Sequence, residues 1–124
     1  MQTKILIADD EPNILISLEF LMRREGHEVH VARDGQEALD MLRSVRPRLL
    51  LLDVMMPRKT GFEVCQEVRQ DEALKDTLIL MLTAKGRDTD IAKGLALGAN
   101  AYMTKPFSTR ELAAKVRSLL EGAA

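Results

Sequence analysis

Cysteine is nearly absent: Cys65 stands alone among 124 residues. No internal disulfide can form, and a reducing, cytoplasmic setting fits that count. Tryptophan is missing, and Phe20, Phe62, Tyr102 and Phe107 are the only aromatics, too few for a base-stacking platform. Charge of one sign is missing as well. Eighteen Lys and Arg stand against 19 Asp and Glu for a net charge of −1, which excludes a strongly basic nucleic-acid or membrane-surface module. Apolar runs such as Leu49–Leu52 fall far short of the roughly 20 residues a spanning helix needs. The amino terminus has no apolar core for a signal peptide, since only Ile5–Ala8 precede Asp9. What remains is an ordinary globular composition, 46% hydrophobic and 30% charged, long enough to bury one core. Residues 1–124 are expected to form a single domain.

Along the chain, apolar runs alternate with amphipathic stretches five times. Lys4–Ala8 reads as a strand. Pro12 opens a helix to about Glu25, with Ile14, Leu18, Leu21 and Met22 at helical spacing and Gly26 as its stop. Glu28–Ala32 alternates with period two, as an edge strand does. Asp34 followed by Glu37 marks the start of a helix that runs to Val45 and cannot pass Pro47. Leu49–Asp53 is apolar on both faces, as a central parallel strand must be. Thr60 with Glu63 opens a third helix, to Gln70. Thr77–Leu82 is the fourth strand, Asp88–Leu97 a helix with a thin apolar face, and Ala99–Met103 the fifth strand. Ser108 with Glu111 starts the last helix. Five strand–helix units in alternation predict an α/β fold: one doubly wound, five-stranded parallel sheet with helices on both faces.

In open sheets of this kind, ligands bind beyond the carboxyl ends of the strands. Asp9, Asp10 and Glu11 follow the first strand, Asp53 the third, Thr83 the fourth, and Thr104 and Lys105 the fifth. Taken singly, each has a plain structural reading: an Asp caps the next helix, Thr83 is a loop hydroxyl, Lys105 a solvated lysine. Their convergence on one face points to chemistry. Clustered carboxylates need a cation or take up protons, and oxygens without His or Cys favour a hard divalent ion, Mg²⁺ above all. A charge-balanced aspartate can attack phosphorus to form an aspartyl phosphate, and phosphoryl transfer asks little more of a protein than positioning and charge neutralisation. Lys105 is the one cation that the sequence sets against these acids, and Thr83 offers one hydroxyl donor.

Five blocks, Asp9-Asp10-Glu11, Leu51-Leu52-Asp53-Val54-Met55-Met56-Pro57, Gly61, Thr83-Ala84 and Lys105-Pro106-Phe107, resemble the receiver domain of two-component response regulators, in order and spacing across nearly the whole chain. The resemblance implies a flavodoxin-like sheet with strand order 2-1-3-4-5, the order of flavodoxin and CheY. It implies that Asp53 is the phosphoryl acceptor. Asp10 and the backbone carbonyl of Met55 would be direct Mg²⁺ ligands together with Asp53, with Asp9 acting through water. Lys105 would pair with the acceptor and then with the phosphoryl group, across a cis bond to Pro106, while Pro57 and Gly61 are structural matches. Thr83 and Tyr102 match the switch pair. Phosphorylation draws Thr83 in, Tyr102 follows, and the surface of the fourth helix, fifth strand and fifth helix changes. The donor implied is a sensor histidine kinase or a phosphotransfer protein, and the output is a downstream protein or a separate output domain. Neither membrane nor direct nucleic-acid contact by this chain is implied, and no turnover of an external substrate.

Leu95–Tyr102 lacks the acids that the DNA-binding subfamily uses in intermolecular ion pairs, so a monomer or a weak, phosphorylation-dependent dimer is expected. Two other classes of function are weighed against the signalling reading. A Mg²⁺-dependent phosphohydrolase with an aspartyl nucleophile usually carries a second acid two residues on, where this chain has Met55. A receiver that has lost phosphorylation would have lost site residues, and all five are present. Cys65 and the seven methionines read as core filling. Met55 and Lys85 each sit two residues past a site residue; the resemblance implies that these positions flank the path of attacking water, so a bulky Met and a long Lys there are expected to slow hydrolysis of the phosphoryl group. Met55→Asn and Lys85→Ala should therefore shorten the phospho-form's half-life; unchanged decay in both would sink the idea.

Overall fold

A computed structural model describes residues 2–84 and 86–122, so Met1, Lys85 and the last two alanines lie outside the described residues. The elements run β1 (Lys4–Ala8), α1 (Pro12–Arg24), β2 (Glu28–Ala32), α2 (Gly35–Val45), β3 (Leu49–Asp53), α3 (Gly61–Gln70), β4 (Leu78–Ala84), α4 (Asp88–Ala96), β5 (Ala101–Lys105) and α5 (Thr109–Gly122). All pairings are parallel, in the order β2-β1-β3-β4-β5. The expected α/β sheet and strand order are therefore present. Among the described residues no helix is long and apolar enough to cross a membrane.

The leucine run explains the centre. In β3, Leu50 and Leu52 face one apolar cluster with Ala38, Leu42, Val64 and Val68 of α2 and α3. Leu49 and Leu51 face the other, with Leu18, Met22, Leu112 and Val116 of α1 and α5. A strand covered on both faces must be apolar at every position, and every residue of β3 is buried. β2 pairs only with β1, as its alternating sequence predicts.

Local signals set most boundaries. Asp34 Oδ1 accepts from the Glu37 amide at the start of α2, and Thr60 and Glu63 close a reciprocal capping box on α3. Gly26 follows α1 with φ +92°, and Arg46 closes α2 in the left-handed region before Pro47. Two expectations shift. β4 extends two residues beyond Leu82, and β5 begins and ends two residues later than the apolar pattern indicates, so Thr83 pairs with Thr104 and Ala84 with Lys105 inside the sheet. Side chains outside the apolar pattern cause the delay. Asn100 Oδ1 accepts from the Ile79 amide at 2.8 Å and from Arg69 at 2.9 Å, which holds 98–100 as a turn.

Arg69 was not singled out by sequence pattern, yet it ties the lower edge of the fold together. Its guanidinium donates to the carbonyls of Gly98 (2.9 Å), Lys75 (2.9 Å) and Thr77 (2.6 Å) and to Asn100. Arg43, by contrast, only approaches Glu67 and Asp71 at 4.0 and 3.8 Å on the surface. Arg69→Ala should cost about 1–3 kcal/mol by leaving those acceptors unpaired. Arg43→Ala should cost less than about 0.5 kcal/mol. Urea unfolding of the two variants checks the order.

Candidate functional site

The carboxyl ends of β1, β3, β4 and β5 surround a cavity of about 260 Å³ lined by Asp10, Glu11, Asp53, Val54, Met55, Thr83, Ala84, Arg87, Asp90 and Lys105. The residues singled out in the sequence from four strand ends thus come together. Asp9 is fully buried behind this cavity. Its Oδ1 accepts the Glu11 amide at 2.9 Å and its Oδ2 accepts from Lys105 Nζ at 2.8 Å. Lys105 reaches Asp53 Oδ1 at 3.3 Å and lies 3.8 Å from Glu11. The Lys105–Pro106 bond is cis.

The plain capping reading of the aspartates fails here. Glu11 is the N-cap of α1 and makes no side-chain cap bond, so Asp10 does not cap that helix. Asp10 is exposed and turned to the cavity, while Asp53 is only 6% exposed. One oxygen from each of Asp9, Asp10 and Asp53 lies within 4.8 Å of the others. Mg²⁺ takes six oxygens at about 2.0–2.1 Å, which puts neighbouring ligands roughly 3–4 Å apart. Oxygens within 4.8 Å of one another can serve such an ion, two of them directly and one through water, and the all-oxygen donor set suits it. Burial raises the Asp53 carboxyl pKa, and the charge of Asp9 raises it further, to about 6 in spite of Lys105. Burial disfavours the charged Lys105, but its bond to Asp9 and the charges of Asp53 and Asp9 prevail and raise its pKa.

The segment after β3 is held by close backbone approach. A Cβ on Gly61 would lie 2.4 Å from the Asp53 carbonyl oxygen, and the Gly61 amide donates to the Val54 carbonyl at 2.8 Å. Pro57 presents its carbonyl to the amides of Lys59 and Gly35. Met55 extends outward, 63% exposed, at the cavity's rim. Thr83 is buried, and its hydroxyl donates to the Ala84 carbonyl at 3.2 Å. Tyr102, beside Met81 in the sheet register, is 42% exposed and so lies outward.

Arg87 and Asp90 were missed in the sequence, where Lys105 stood as the only opposing cation. Both line the cavity, paired Nε to Oδ2 at 3.1 Å across the first turn of α4. The available signal was their position just past the fourth strand, the same criterion that selected the others.

A family model described as the response regulator receiver domain matches residues 5–117. The alkaline phosphatase synthesis transcriptional regulatory protein PhoP of Bacillus subtilis is 47% identical over 120 residues, covering 97% of this chain and 49% of that protein. The chain thus spans about half the length of that curated relative. Among solved structures, a protein assigned as a response regulator from Chloroflexus aurantiacus aligns with TM-score 0.94 at 37% identity, covering 98% of this chain and 99% of that one. The chemotaxis response regulator CheY4 of Vibrio cholerae aligns with TM-score 0.90 at 34% identity, covering 96% and 99%.

A raised carboxyl pKa means that the folded state resists ionising Asp53, so stability is lost as pH rises from about 4 through about 6. Asp53→Asn should therefore stabilise the fold at pH 7.5 by about 1–2 kcal/mol. Near pH 4, where the wild-type carboxyl is protonated in the folded state, that gain should vanish. Denaturant melts at both values check the sign.

Proposed function

The chain belongs to the response regulator receiver domain family of two-component systems, and from that premise we propose that Asp53 accepts a phosphoryl group in a Mg²⁺-dependent reaction. The observation that carries this reading is a nearly buried Asp53 with Asp9 and Asp10 oxygens within 4.8 Å and Lys105 Nζ at 3.3 Å. An Asp53 oxygen attacks phosphorus. The bond from phosphorus to the donor breaks, P–N in a phosphohistidine or P–O in acetyl phosphate, and its electron pair leaves with imidazole or acetate. Asp10, Asp53 and the Met55 carbonyl would hold a Mg²⁺, with Asp9 acting through water, and the ion would supply positive charge to the phosphoryl oxygens.

Lys105 bridges Asp9 and Asp53 before transfer and moves its Asp53 contact to a phosphoryl oxygen afterwards. Thr83 turns its hydroxyl from the Ala84 carbonyl to another of those oxygens. Its movement opens room beside β4 for Tyr102 to turn inward, and the α4–β5–α5 surface changes. Pro57 and Gly61 keep the segment carrying Met55 in place. The domain, read as residues 1–124, is a phospho-acceptor with slow self-hydrolysis. It has no external substrate. Exposed Met55 at the cavity rim supports the slow step.

The donor is a sensor histidine kinase or a phosphotransfer protein, in the cytoplasm, where buried Cys65 stays reduced. The named relatives favour two outputs. The Bacillus subtilis protein is a transcriptional regulatory protein about twice as long as the matched region, which supports control of a separate output domain. The chemotaxis regulator is matched over 99% of its length, which supports action on a downstream protein. In either case the chain is a monomer or a weak dimer when phosphorylated, and it contacts neither nucleic acid nor membrane itself.

Incubation with acetyl phosphate and Mg²⁺ should add about 80 Da, one phosphoryl group. Intact mass should show the adduct in wild type and lose it with EDTA or in Asp53→Asn. An adduct that persists in Asp53→Asn, or none in wild type, overturns the reading.

A further inference from the structure

We propose that Arg87 is a second cation for the phosphoryl group on Asp53, held by Asp90 until that group arrives. The proposal rests on the phospho-acceptor reading above. Arg87 and Asp90 line the same cavity as Asp10, Asp53, Thr83 and Lys105. Their contact is a single one, Arg87 Nε to Asp90 Oδ2 at 3.1 Å, between a half-exposed guanidinium and a carboxylate only 14% exposed. Arg87 is also the N-cap residue of α4, a position where its side chain, which has donors and no acceptor, cannot bond the free amides. The cap role therefore does not account for the side chain's placement.

The charge of the cavity supplies the reason. Asp10, Glu11, Asp53 and Asp90 line it against Lys105 and Arg87. Lys105 is already committed, donating to Asp9 at 2.8 Å as well as to Asp53 at 3.3 Å. After transfer, Asp9 is still buried, and its Oδ2 still accepts from that ammonium. Meanwhile one carboxylate charge has become a phosphoryl group of roughly −1.5 to −2 with three acceptor oxygens. A guanidinium fork matches such a group better than an ammonium does. An ion pair between neighbours at a cavity mouth is weak in water, so Asp90 holds Arg87 only loosely. A denser anion in the same cavity draws the guanidinium away. Asp90 thus competes with the phosphoryl group for Arg87, and it also repels that group directly.

The competition has a sign that a simple helix-capping role lacks. Arg87→Ala and Arg87→Gln should each slow adduct formation from acetyl phosphate, with Mg²⁺ present, by about three- to thirtyfold. Asp90→Asn should speed it by about two- to fivefold, because Arg87 is released. In the double variant Arg87→Ala with Asp90→Asn, most of that gain should disappear, and Arg87→Lys should recover part of the loss. Rates are read by intact mass, with melting curves recorded for each variant. Wild-type rates in both neutral Arg87 variants overturn the proposal. So does a slowing in Asp90→Asn, which would mean that the pair only steadies α4. Absence of adduct in wild type itself overturns the phospho-acceptor reading instead, so the two failures are distinguishable.

Discussion

Two carboxylates, Asp9 and Asp53, are buried at the end of an apolar sheet, and Lys105 is the side chain that lets both remain there. An ionised carboxylate without a partner in such a place costs several kcal/mol (about 3–5 when one partner of a buried pair is removed). The contact is long-range, 96 residues from Asp9 and 52 from Asp53, so it exists only when β1, β3 and β5 are all in place. The register of β5 is part of the same constraint. Lys105 pairs with Ala84 at the last rung of the sheet, which delivers the ammonium to the plane of the two acids. Compensation is incomplete, and the raised Asp53 pKa records the shortfall. The fold therefore keeps a site that a divalent ion, and on the proposed reading a phosphoryl group after it, would relieve, at the cost of some stability in the resting state.

The segment between Asp53 and α3 is positioned by a different means. Gly61 approaches the Asp53 carbonyl more closely than any Cβ allows, and Gly35 does the same to the Lys59 backbone, where a Cβ would lie 2.1 Å from the carbonyl oxygen. Helices α2 and α3 thus clamp the segment from two sides. Such close approaches use glycine's missing side chain, and they hold the backbone near Met55 without any direct bond to the carboxylates. Acid cluster and backbone clamp are built by different parts of the sequence and meet at Asp53.

Much of this was legible in the sequence because two kinds of signal agree. The two-faced leucine run of β3, the Thr60–Glu63 box and the acids after β1 and β3 are local patterns with one physical reading each. The ends of β4 and β5 were not legible in the same way. Thr83, Thr104 and Lys105 are polar, so the apolar pattern stops at Leu82 and Met103 although the sheet's hydrogen bonds continue. Hydrophobicity reports burial in the core, while strand pairing reports backbone geometry, and the two part company where a sheet edge becomes a site. Arg69 and Arg87 were hidden for a related reason. An arginine on a helix or loop looks solvated until its distant acceptors are known, and those of Arg69 lie up to 31 residues away.

α4, which begins at the cavity, has the thinnest apolar face of the five helices. Gly94 is its only buried residue, resting near Met81 and Phe62, while Lys93 lies 4.5 Å from the Phe62 ring centre. Each neighbouring helix buries three or four side chains, as in α3 with Val64, Cys65 and Val68. A phosphoryl group gains only a few charge-assisted hydrogen bonds, each about 1.5–3 kcal/mol. Inverting a 1:99 equilibrium takes roughly 5.5 kcal/mol of differential binding. α3 and α5 each bury three side chains and α4 buries only Gly94, so such a bias would act most readily on α4. On the phospho-acceptor reading, weak packing of that one helix is what would let a single bond at Asp53 be read at the surface, and a better-packed α4 would make the domain more stable and less responsive.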